Sequence, residues 1–157
     1  MKLCIEDRFI RGFLSGLVSV VPMLIWDHLS HSVFHFSKVR YLDFMSQLFH
    51  GRLPTSLVGA LFSQAEQIFF AGFMGAVFVF IVPLVGRKSL LFKSWVFSLG
   101  VWFSTYATFS LAQSPIIRRT DWFTSIKDLI GSGLYAVALW LTWSWLEQQL
   151  HRKKCDP

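Results

Sequence analysis

Asp27, His31 and His35 recur at intervals of four, so on one continuous helix they share a face. One carboxylate and two imidazoles are ligand types that a divalent metal takes, and Glu66 from a later apolar stretch would add an oxygen. Asp27, His31, His35 and Glu66 are therefore the metal candidates. Several features count against them. His28 lies about 100° around from Asp27 and cannot join the face. Dimetal sites in helical bundles draw ligands from several helices, whereas the third and fourth apolar stretches hold no histidine. At 1.5 Å per residue, Asp27 is about 23 Å beyond Gly12 and Glu66 about 15 Å into its own segment, so the two meet only if the helices are offset or tilted.

A second constellation is Gln64, Glu66 and Gln67 with Asp27 and His31, a candidate intramembrane polar site. A carboxyl about ten residues inside an apolar segment is costly when charged and must face the bundle, a partner or water. Its chemistry is either a proton or cation relay or a hydrogen-bonded clamp between helices. No HExxH, phosphate-binding glycine loop or Ser/His/Asp order is present, so the sequence points to no catalytic residue and no cofactor. Haem is disfavoured because its two histidines usually come from facing helices.

The elements that carry these residues are apolar. With 54% hydrophobic, 17% aromatic and 15% charged residues among 157, the chain is too apolar for an ordinary soluble domain. The reading is an all-α, integral membrane four-helix bundle, a single domain over residues 1–157. Its spans are expected at about residues 9–35, 56–83, 90–112 and 123–146, each long enough for a hydrocarbon core of about 30 Å. Pro22 should bend the first span, and Gly12 and Gly16 should let a neighbouring helix come close. Ala60, Gln64, Gln67, Ala71 and Gly75 form the packing stripe of the second. Between spans one and two, Tyr41, Phe44, Met45 and Leu48 recur at helical spacing, predicting an interfacial amphipathic helix over about 39–50, ended by Gly51.

The formal charge of +6 sits in the gaps between apolar runs, where the positive-inside rule places it; nucleic-acid binding is not expected. Lys2, Arg8, Arg11, Arg87, Lys88, Lys93, Arg152, Lys153 and Lys154 outnumber Lys38, Arg40, Arg52, Arg118, Arg119 and Lys127, which favours both termini in the cytoplasm. Cys4 and Cys155 then lie in the cytoplasmic tails as reduced thiols.

Lys38-Val39-Arg40-Tyr41-Leu42-Asp43-Phe44, the stretch from Gly51 to Pro54, and Phe69-Phe70-Ala71-Gly72-Phe73-Met74-Gly75 resemble a group of small four-span membrane proteins of spore-forming Gram-positive bacteria. That group has no assigned activity, so the resemblance implies the architecture and a bacterial plasma membrane, and assigns no functional residue. The functional expectation is a non-enzymatic, multi-pass protein in contact with the lipid bilayer, acting through a membrane-protein partner or as a homo-oligomer. The rivals are a proton- or cation-coupled transport component using Glu66, and a metal-dependent membrane enzyme.

Overall fold

A computed structural model describes residues 7–35, 37–86 and 88–155, with side chains up to residue 149 apart from residues 83 and 85. Cys4, Lys2 and Arg87 lie outside the described residues, as do the side chains of Cys155 and the basic tail. All regular structure among the described residues is helical: α1 (Arg8–Ser32), α2 (Tyr41–His50), α3 (Leu57–Val85), α4 (Leu90–Leu111), α5 (Pro115–Arg119) and α6 (Trp122–Cys155). Segments Arg8–Ser32, Leu57–Val82 and Trp122–Gln149 are long and apolar enough to cross a membrane. Val18, Val21, Phe69, Phe73 and Leu141 point outward from them, a surface that suits hydrocarbon better than water.

Local chemistry sets the helix ends. Asp7 opens α1 by accepting from the Phe9 amide at 2.7 Å, and Ser56 opens α3 by accepting from Gly59 at 3.1 Å. Gly51, with φ of 67°, closes α2, as its place after the amphipathic run predicts. The first helix is shorter than expected. It stops at Ser32, and His35 sits beyond it at φ of 52°, exposed. The reversal between residues 33 and 40 brings the first amide of α2 back to Asp27, whose Oδ2 accepts from Tyr41 N at 3.2 Å. A carboxylate at a helix N-terminus is a favourable pairing, and it competes against extending α1.

α1 crosses α3 with backbones almost in contact. A Cβ built on Gly12 would lie 2.8 Å from the Ala76 Cα, and one on Gly75 would lie 2.7 Å from the Gly16 Cα. The stripe read as a packing face is used inside the chain: Ala71 and Gln67 are buried, while Gln64 is half-buried. Helix α6 is tied to α1 by Ser19 and Thr142 (3.1 Å) and to α3 by the Tyr135 hydroxyl, which donates to the Ala71 carbonyl at 2.8 Å. Ser19 also donates to the Ser15 carbonyl. Helix α4 lies against α6, its Ser98 hydroxyl donating to the Ser132 carbonyl at 2.7 Å. Helix α2 buries Leu42, Phe44 and Met45 against the bundle and leaves Leu48 and Phe49 exposed. The Phe44 ring packs on Tyr106 and Phe109 of α4, with centroids 5.6 and 5.4 Å away.

Asp121 precedes α6 and caps it, accepting from the Thr124 amide at 2.9 Å and the Thr124 hydroxyl at 2.8 Å; Lys38 pairs with it at 3.2 Å. The Thr124 amide, its hydroxyl and then Lys38 hold this carboxyl below its ordinary value. Because the folded value is depressed, the contribution is complete above the ordinary carboxylate value and is lost as pH falls through the folded one. Asp121→Ala is expected to cost about 1 kcal/mol at neutral pH. In chemical unfolding the gap between variant and wild type should close below about pH 4.

Candidate functional site

Asp27 lies five residues before the end of α1, and Lys127 five residues after the start of α6, so each is about 8 Å inside its helix. An isolated charge at that depth is expensive, and a partner is the usual remedy. Here the partners come from three helices and a loop. Lys127 is fully buried, and its Nζ contacts Asp27 Oδ1 at 2.5 Å, Asp128 Oδ1 at 2.8 Å and the Val39 carbonyl at 2.9 Å. Its N–H groups donate to Asp27 Oδ1 and to the Val39 carbonyl, while Asp128 Oδ1 is held as an ion-pair contact.

The acids are held as closely. Asp27 is 1% exposed and Asp128 0%. Asp27 also takes the Tyr41 amide, and Asp128 Oδ2 accepts from the Tyr106 hydroxyl at 2.6 Å. The Tyr41 hydroxyl donates to the Asp128 carbonyl at 2.7 Å and lies 3.2 Å from the Ser132 hydroxyl. Burial first, and then the nearby Asp128 carboxylate, raise the Tyr41 phenol well above its ordinary value, which keeps it a proton donor at neutral pH. Its ring lies 5.1 Å from the Lys127 ammonium, a cation–π approach that the small Gly131 beneath it permits. Trp26 Nε1 donates to the Lys127 carbonyl at 3.0 Å. The result is a buried ionic cluster in which one ammonium stands between two carboxylates.

No family model, curated protein or solved structure matches this chain.

The residues expected to form one site are dispersed. His31 Nδ1 lies 2.9 Å from the Ser37 carbonyl and braces the reversal after α1. His35 has left the helix, so the face of Asp27, His31 and His35 is not formed. Glu66 Oε1 pairs with His50 Nε2 at 3.1 Å on the outer side of α2 and α3. Gln64 donates to the Gln67 carbonyl oxygen at 3.0 Å. Asp27 and Glu66 thus hold different partners, and among the described residues no group of three or more His, Cys, Asp and Glu side chains is placed to hold a metal ion.

Lys127, Asp128, Tyr41 and Tyr106 are the members that sequence reasoning missed, since it counted Lys127 only among the basic residues that set the orientation. One signal was available. Lys127 falls inside the expected fourth span, and a buried Asp27 needs a cation from within a span.

A cavity of about 70 Å³ adjoins the cluster, and Tyr41, Tyr106 and Ser132 line it together with Gln67 and Tyr135. A groove of about 520 Å³ between α3 and α4 adjoins it, the two sharing Met45, Phe70, Met74, Val101 and Thr105 as lining residues. The two helices meet at one end, where the Phe78 and Phe97 rings are 5.4 Å apart. Towards the other end the groove lies between them, lined also by Leu48 of α2.

Proposed function

We propose that this is a four-span, non-enzymatic protein of a bacterial plasma membrane that works by binding within the bilayer. Helix α4 (Leu90–Leu111) supplies the remaining crossing, and α2 lies at the membrane boundary, its exposed Leu48 and Phe49 turned to lipid. Both termini are cytoplasmic. The assignment of Lys127 to the buried cluster strengthens this orientation, because it removes one basic residue from the opposite side of the count.

The observation that carries the reading is a contrast. The buried acids and lysine of the cluster are paired with one another, while the opening between α3 and α4 is lined by apolar side chains. The small-residue faces of α1 and α3 are spent on each other, so the α3–α4 opening is the better candidate for association.

Topology is tested by single cysteines in an otherwise cysteine-free chain. Positions 51 and 113 should react with an impermeant maleimide on intact cells, and position 88 only after permeabilisation; early reaction at 88 overturns the orientation. Binding is tested by native mass spectrometry from lipid nanodiscs. Release of a bare monomer, with no second copy, partner or retained lipid, overturns the reading.

A further inference from the structure

We propose that the α3–α4 opening binds a neutral, hydroxyl-headed membrane lipid, with its chain in the groove and its head in the cavity at Gln67. This rests on the binding reading above and names the ligand class. Gln67 is 3% exposed and lines the cavity; its carbonyl oxygen accepts from Gln64, while its own amide nitrogen is buried without an acceptor. A buried amide N–H costs free energy until an acceptor meets it.

The surrounding hydroxyls are committed as donors. Ser98 donates to Ser132, Thr105 to Val101 at 2.9 Å and Tyr135 to Ala71. Each oxygen retains lone pairs, so the cavity offers an N–H to an acceptor and oxygens to a donor. A lipid hydroxyl supplies both.

Charge argues for a neutral head. Among the described residues the cavity lining includes no lysine, arginine or histidine, and Tyr106 links its wall to a cluster of two acids and one lysine, surroundings that disfavour a carboxylate or phosphate. The groove suits the chain, since Leu48, Phe70, Met74, Phe97 and Phe109 line it. Gly100 also lines it, and a Cβ added there meets nothing within 4 Å.

The full-length protein in phosphatidylcholine nanodiscs is irradiated with a photoactivatable monoolein, and the adducts are mapped. Adducts should fall on groove peptides containing Met74 and Val101, with unlabelled monoolein competing and oleate not. Gln67→Met should weaken competition about fivefold, the worth of one neutral hydrogen bond. Gly100→Trp should abolish groove labelling while the melting temperature is kept. Equal competition by oleate overturns the neutral head, and groove labelling unaffected by both variants overturns the site. Crosslinks between α4 helices of two copies would overturn the lipid yet leave the binding reading standing; a bare monomer without adducts defeats both.

Discussion

Lys127→Met is expected to destabilise the protein by about 3–5 kcal/mol, the usual consequence of removing one partner from a buried ion pair. Methionine is close in length, so the loss comes from charge more than from volume. It strands Asp27 and Asp128, which are almost completely buried, and leaves the Val39 carbonyl without its donor. Lys127→Arg should not rescue, because a planar guanidinium cannot direct N–H groups at three acceptors converging on one compact ammonium. The triple variant Asp27→Asn, Lys127→Met, Asp128→Asn should recover most of the loss. Replacing a whole buried ionic set is often neutral, and the side-chain carbonyl introduced by Asp27→Asn can still accept the Tyr41 amide. Denaturation in mixed micelles, followed by circular dichroism, measures all three. A single-variant loss below about 1 kcal/mol would mean that the cluster is no tighter than a surface pair.

The same cluster shows where sequence reading works and where it stops. Helix type and approximate extent follow from apolar periodicity and from Ser56, Gly51 and Pro115, so four long helices and the short α2 were legible. The end of α1 was not, because nothing in residues 33–35 announces a left-handed turn at His35. The cause is distant: the Tyr41 amide and the Lys127 ammonium converge on Asp27 from 14 and 100 residues away. Periodicity describes one helix at a time and is silent on which faces meet. That is also why Lys127 was counted only with the basic residues of a loop, and why the partner of Glu66 stayed open until α2 placed His50 next to it. The gap between α3 and α4 was illegible for a further reason. Neither helix gathers its apolar residues on one face, so the pattern cannot say which neighbours leave space.

The α1–α3 crossing yields the other large expected effect, and its reference is already in the chain. Gly16→Ala should cost about 2–3 kcal/mol, at the upper end of ordinary overpacking. The added methyl would collide with the Ala71 carbonyl and lie 2.9 Å from the Gly72 Cα and 3.0 Å from the Gly72 carbonyl. These are backbone atoms, which cannot rotate away as a side chain would, so the helices must separate. Gly75→Ala meets Gly16 N and Cα at 2.7 Å and should behave alike. Because both substitutions act on one crossing, the double variant should cost less than the sum of the two: once the helices have parted, the second methyl meets less resistance. Gly100→Ala is the reference. Its methyl enters open space, and alanine favours a helix over glycine by about 1 kcal/mol, so it should be neutral or stabilising. Unfolding of the four proteins in the same micelles separates contact from propensity. If Gly16→Ala and Gly100→Ala shift stability alike, the close crossing is not what holds α1 on α3.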